Sequence, residues 1–218
     1  MTETNTSGII TAAADIVAGA FNALPKRVCN QHNFSDYADY LHENLPAQAE
    51  LDLQREKPLN PAPLVSVAIA CSGASRAAVR STLEALGKQT YANFEVCVVS
   101  ELAQAGLTDY EGIPKFRLVL FNGTAHEQLK AAEKMLNGAY FLQLLPGDLP
   151  APDALHMLVL QTHANPEAEV VFADEDSVID GIRQNPIFKP DYGRDTLRSF
   201  NSIGRPMLVS KRVHTAVG

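Results

Sequence analysis

The chain has 218 residues, 46% hydrophobic and 20% charged, the make-up of a soluble globular protein with ample core. Its net charge of −7, with no run of lysine or arginine, argues against general binding to nucleic acid or to an anionic membrane surface. Three widely spaced cysteines, Cys29, Cys71 and Cys97, fit no zinc spacing, and their use fits a reducing cytoplasm.

The first segment, MTETNTSGIITAAADIVAGAF, lacks the positive start of a signal peptide. Its apolar stretch is too short and too interrupted to span a bilayer. Ile9 to Leu24 carries apolar residues at helical spacing until Pro25 breaks it, and Ser35 to His42 forms a second helical stretch with Tyr37, Tyr40 and Leu41 on one face. Ser35 is its expected N-cap. The polar, Pro-rich LDLQREKPLNPAP then reads as a linker. Residues 1–62 are thus expected to be a helical arm plus linker. The arm is read as a hairpin packed on the main domain, or as an oligomerisation helix. A membrane-surface role is disfavoured, because the first helix has almost no positive charge.

From Leu64 strands alternate with helices. LVSVAIAC is a continuous apolar, β-branched run, the pattern of a strand buried on both faces. SRAAVRSTLEALGK comes next as an amphipathic helix with Ala78, Leu83 and Leu86 inward, Ser75 as N-cap and Gly87 as C-cap. FEVCVVS and FRLVLF are further strands. TAHEQLKAAEKMLNG is a helix, YFLQLL a strand, APDALHMLVLQTHANP a helix opened by Pro152, and EVVFAD a fifth strand. A hairpin turning at Asp180-Gly181 and a short helix around Arg194, Asp195 and Arg198 complete the chain. This alternation predicts an α/β domain over residues 63–218 with a mostly parallel sheet flanked by helices. Such sheets bind ligands at the C-terminal ends of their strands. That rule selects Cys71–Ser75, Ser100–Glu101, Pro146–Asp148 and Asp174–Asp176.

Two clusters there carry alternative meanings. Asp148, in Pro-Gly-Asp, either caps a tight turn or serves as a lone metal ligand. Asp174 and Asp176 would share one face of a strand, where paired like charges serve a metal or a substrate hydroxyl; otherwise the triplet with Glu175 is a solvated strand end. Lys189 either meets a diphosphate or pairs with one of these acids. His126 and His156 are expected on exposed or half-buried helix faces.

Several stretches carry a family resemblance. PLVSVAIACSGASRAAVRSTLEALGKQTYANFEVCVVSE, PGDLPAPDAL and VVFADEDSVIDGIRQNPIFKPDYGRDTLRSFNSIG together resemble the family 2 glycosyltransferases of GT-A fold, in particular the bacterial O-antigen and rhamnan-type sugar transferases. YADYLHEN resembles the stretch that precedes the domain in that subgroup. The resemblance implies a GT-A-like domain that takes a nucleotide-sugar donor and a bacterial surface-glycan or lipid-linked acceptor. It implies Mn²⁺ or Mg²⁺ at the leaving diphosphate. Ser72, Gly73, Ser100, Glu101 and Lys189 would bind the nucleotide-sugar, Asp148 the metal, and Asp174, Glu175 and Asp176 would form the catalytic cluster. The chain departs from the pattern in four places. The first strand lacks its usual Asn, Ser100-Glu101 stands for a pair of acids, Leu145 and Gly147 stand where the metal-motif acids fall, and the family's general base lies past Gly218, so that the domain reads as truncated. The resemblance therefore also admits an inactive binding or scaffold protein that partners an active transferase. The expected location is the cytoplasm or the inner face of the membrane.

Overall fold

The structure is a computed structural model that describes residues 37–101, 113 and 115–217. The helix expected at Ile9–Leu24, the Ser35 cap and Cys29 lie outside the described residues.

The two most apolar runs become central strands. β1 (Val65–Ala70) and β2 (Phe94–Ser100) are buried at every residue. With β3 (Phe116–Leu120) and β4 (Tyr140–Leu144) they form a parallel set in the order β3-β2-β1-β4. Strand alternation sends Val65, Val67 and Ile69 to one face, against Val79, Leu83 and Leu86 of α3 (Arg76–Leu86) and Leu155, Leu158 and Val159 of α5 (Ala154–Ala164). The opposite face presents Ala68, Cys97 and Val99 to Ala132 of α4 (Ala125–Glu133) and to Leu136 beyond it. The first face holds the larger side chains. Each fully buried Leu or Ile there contributes about 1.5–3 kcal/mol, so that face supplies most of the hydrophobic stabilisation.

The mostly parallel, helix-flanked sheet matches the expectation. Ser75 caps α3, its side chain accepting from the Ala78 amide at 3.2 Å. Gly87 ends that helix with a right-handed φ of −63°, so no left-handed residue is needed there. Val79 and Thr82, rather than Ala78, face inward beside Leu83 and Leu86.

Three readings are corrected. The first half of the expected linker is helix α2 (Gln48–Glu56), which buries Leu51 and Gln54 on the domain. Thr90 Oγ1 donates to Gln54 Oε1 at 2.6 Å, and Arg55 donates to the Lys88 carbonyl at 3.3 Å. The prolines only terminate this helix. His156 is buried on α5, and that burial holds its imidazole below the ordinary range despite Asp153 nearby. Finally, the sheet contains a strand that sequence patterning missed. β8 (Met207–Ser210) is inserted antiparallel between β4 and β5 (Val170–Phe172), completing the order β3-β2-β1-β4-β8-β5.

β6 (Glu175–Ile179) and β7 (Ile182–Ile187) form a separate hairpin. Asp180 and Gly181 turn it with φ of 53° and 78°, as their pairing predicts. Helix α1 (Tyr37–Asn44) rests on this hairpin, with Tyr37 and Tyr40 edge-on to Phe188 at centroid distances of 6.5 and 5.2 Å. The short helices α6 (Arg194–Ser199) and α7 (Lys211–Val217) flank β8 in sequence. No described helix is long and apolar enough to cross a membrane.

Candidate nucleotide-sugar site

The strand order fixes where a ligand can sit. Connections from β1 through β2 to β3 run one way across the sheet, and β4 returns to the other side of β1. The direction switches between β1 and β4, and it is at the C-terminal ends of strands at such a switch that sheets of this kind have their ligand crevice. Ser72 and Gly73 leave β1 there. Gly73 has φ +69° and no atom within 4 Å of where a Cβ would stand, so the backbone is open on that side. Ser72 Oγ donates to Glu101 Oε1 at 3.2 Å, joining the ends of β1 and β2. Ser100 is buried beneath them, and its carbonyl accepts from the Phe121 amide at 3.0 Å.

β4 ends in the turn Leu145-Pro146-Gly147-Asp148. Asp148 Oδ2 accepts from the Leu145 amide at 2.8 Å, while the Asp148 amide donates to the Leu145 carbonyl at 3.0 Å. The Gly147 amide donates to Thr82 Oγ1 at 2.8 Å, with the Ala78 carbonyl a second acceptor at 3.0 Å, which pins the turn to α3. The same carboxylate meets Arg205, whose Nε lies 3.2 Å from Oδ2 and whose Nη2 lies 3.5 Å from Oδ1. β8 brings Arg205 here. Because β8 runs antiparallel to β4, with Leu208 opposite Leu142, the residues ahead of it emerge where β4 ends.

The three acids of ADED do not act as one group. Asp174 Oδ1 accepts from the Lys189 amide at 2.8 Å. Glu175 Oε1 lies 3.4 Å from Lys189 Nζ, whose side chain is only 2% exposed. Asp176 Oδ2 accepts from Tyr37 Oη and from Arg183 Nε, each at 2.6 Å. A face shared by Asp174 and Asp176 requires a continuous strand, and the chain instead breaks between β5 and β6. Burial pushes the Lys189 ammonium below the usual lysine range, with Glu175 opposing. Burial likewise raises the Tyr37 hydroxyl to about 12, reinforced by the hydrogen bond to Asp176. Tyr37→Phe is expected to cost about 1 kcal/mol in urea unfolding, the net worth of one hydrogen bond. An unchanged midpoint would mean that α1 is held by its ring contacts alone.

Gly204 makes the approach of Arg205 possible. It sits at φ +55°, and a Cβ there would lie 2.7 Å from Glu175 Oε1. Its amide and that of Ile203 donate to Asn201 Oδ1, both at 3.2 Å. Lys189 Nζ then donates to the Arg205 carbonyl at 2.6 Å. Arg205 is the part of the site that sequence patterning missed, whereas the Lys189–Glu175 pair beneath it is one of the two roles expected of Lys189. The available signal was the short run MLVS. Read as a strand, it places the preceding Arg205 at the sheet edge.

The residues do not fit a divalent cation. Asp148 spends both oxygens on an amide and a guanidinium, and Leu145 and Gly147 offer no ligand. Among the described residues no three His, Cys, Asp or Glu side chains come together as a ligand group. A guanidinium held against the one carboxylate occupies the side on which a cation would be bound and opposes it by charge.

No family model matches the sequence. An uncharacterized protein of Sinorhizobium fredii, y4gI, is 33% identical over 150 residues, which are 65% of this chain and 16% of that protein. The O-antigen biosynthesis protein RfbC of Myxococcus xanthus is 25% identical over 195 residues, covering 85% of this chain and 15% of that protein. The chain thus spans less than a fifth of the length of these curated relatives. Among solved structures, the mannosyltransferase PcManGT from Pyrobaculum calidifontis, in complex with GDP-Man and Mn²⁺, superposes with a TM-score of 0.43 at 19% identity, covering 76% of this chain and 47% of that one.

Proposed function

We propose that the chain is the donor-binding part of a family 2 type glycosyltransferase with a GT-A-like domain. In this reading it holds a nucleotide diphosphate-sugar for transfer to a bacterial surface-glycan or lipid-linked acceptor. One observation carries the reading: the β1–β4 switch point, with open backbone at Ser72-Gly73 on one side and Asp148 with Arg205 on the other. The likeness to an O-antigen biosynthesis protein supports the substrate class.

Each residue of the crevice has its own part. Ser72 orients Glu101, whose second oxygen has no hydrogen-bond partner among the described residues and would accept from a ribose hydroxyl or a base. The Gly73 backbone lets the nucleotide approach. The diphosphate lies across the crevice toward Arg205. Asp174, Glu175 and Asp176, expected to be catalytic, instead brace the Lys189 segment and the hairpin in this reading. Transfer to an acceptor hydroxyl requires a base to take its proton. Mn²⁺ or Mg²⁺, expected on the resemblance, has no place in this reading, because Asp148 is engaged by the Leu145 amide and Arg205. A cytoplasmic location is the setting in which such donors are met.

A second reading, a scaffold that kept the fold and lost the chemistry, is favoured by one feature. Asp148, Asp174, Glu175, Asp176 and Glu101 each already have a partner inside the protein. A thermal melt separates the two. At a ligand concentration about 100 times Kd, binding stabilises by about 2.7 kcal/mol. At least one of UDP, GDP and dTDP is therefore expected to raise the Tm, while the free bases do not. A Tm unmoved by all three nucleotides would favour the scaffold.

A further inference from the structure

We propose that the guanidinium of Arg205 stands in for the divalent cation at this crevice, so that the chain binds a nucleoside diphosphate without metal. The inference rests on the donor-site reading above.

Arg205 is built into the site. Its carbonyl is held by Lys189 Nζ at 2.6 Å, and its guanidinium by Asp148 at 3.2 and 3.5 Å. Its approach is fixed on one side by the Asn201-capped turn and on the other by β8. Asp148 uses only the Nε–Nη2 edge of the fork. Nη1 has no protein partner among the described residues, and the side chain remains 44% exposed. An arginine presents five donors in a rigid plane that matches phosphate geometry. One edge therefore anchors the group while the other stays available to an anion.

The charge balance sets what kind of binding this is. Asp148 offsets much of the Arg205 charge at a distance, and Glu175 does the same for Lys189. The crevice therefore does not attract anions from afar. Recognition must come from directed N–H contacts at short range, which favours a diphosphate seated against the fork over any passing anion. Asp148 changes role accordingly. It orients a permanent cation rather than ligating an exchangeable one.

The test is calorimetry of the whole chain with UDP, GDP and dTDP, once in EDTA and once with Mn²⁺. We expect at least one nucleotide to bind in EDTA with an affinity close to that with Mn²⁺. Arg205→Gln should weaken that binding by about tenfold or more, the worth of a charge-assisted contact. Arg205→Lys keeps the charge without the fork and should fall between the two; circular dichroism and a melt establish that each variant is folded. If Arg205→Gln fails to fold, the EDTA comparison and Arg205→Lys still decide. Binding only with Mn²⁺ overturns the inference and leaves the donor site standing. Metal-free binding undiminished in a folded Arg205→Gln removes Arg205 from the site and so also overturns it. No binding in either medium overturns the donor-site reading and the inference with it.

Discussion

Glu95→Ala is expected to lower the free energy of unfolding in urea by about 3 kcal/mol at pH 7, the cost of losing the hydrogen bonds to one buried carboxylate and of leaving a backbone amide unpaired. The side chain of Glu95 is 1% exposed in the middle of the sheet, opposite Ser66 on β1. Its Oε1 accepts from Ser66 Oγ at 2.7 Å and from the Asn137 amide at 2.6 Å, and Oε2 accepts from Arg117 at 2.6 Å. Ser66 Oγ in turn accepts from the Gly138 amide at 2.8 Å. One carboxylate thus joins β1, β2, β3 and the entry to β4. Alanine leaves the Asn137 amide unpaired. Arg117 is better placed, since it also reaches the Met135 carbonyl at 2.9 Å and solvent. Glu95→Gln keeps the volume but turns an amide N–H toward donors, so it should lose part of the same energy.

The pH dependence arises from the same network. Burial alone would raise the Glu95 carboxyl, but the bonds from Asn137, Ser66 and Arg117 outweigh it and hold the group below its ordinary value. Its folded pKa is therefore below its unfolded one. The stabilisation is fully present above the unfolded value, about 4.3, and is lost as pH falls through the folded value. The gap between wild type and Glu95→Ala should be constant from neutral pH down to about 5 and narrow below 4. A gap that persists unchanged at pH 3 would mean that Glu95 is not the ionised partner described here.

Leu208→Ala should cost about 3 kcal/mol and lower the Tm by about 6–12 °C for a chain of this size. Leu208 is fully buried in β8, paired with Leu142 on β4 and Val171 on β5. The cavity would open in the core under β8, the strand through which β4 and β5 are joined. Val178→Ala on the exposed hairpin is the control, expected within about 0.5 kcal/mol of wild type. Equal effects at the two positions would contradict the central placement of β8.

The central strands were legible because a parallel strand covered on both faces must be apolar throughout, and VSVAIA and FEVCVVS are nearly so. Glu95 is the exception within that run, and a single carboxylate gives no sign in the sequence of the three donors gathered around it. α2 was hidden by composition. Most of its polar residues and Leu53 are exposed, and Leu51 and Gln54 are the two that it buries. β8 was missed because four residues ending at a new helix carry too little pattern to separate strand from loop. That omission hid Arg205. Asp148 reads in the sequence as either a turn cap or a metal ligand, and the turn is what the backbone amides take up. The acidic triplet was legible as a cluster and Lys189 as a candidate partner, but Tyr37, 139 residues from Asp176, is brought in by no local spacing.

The insertion of β8 also bears on how the chain is made. β5 touches the sheet only through β8, which is synthesised about thirty-five residues later. On the ribosome, β1 to β4 can pair as they emerge, whereas β5 must wait with its edge unsatisfied until Ser210 has left the exit tunnel. The step that joins β5 to the sheet is therefore also the step that brings Arg205 to Asp148.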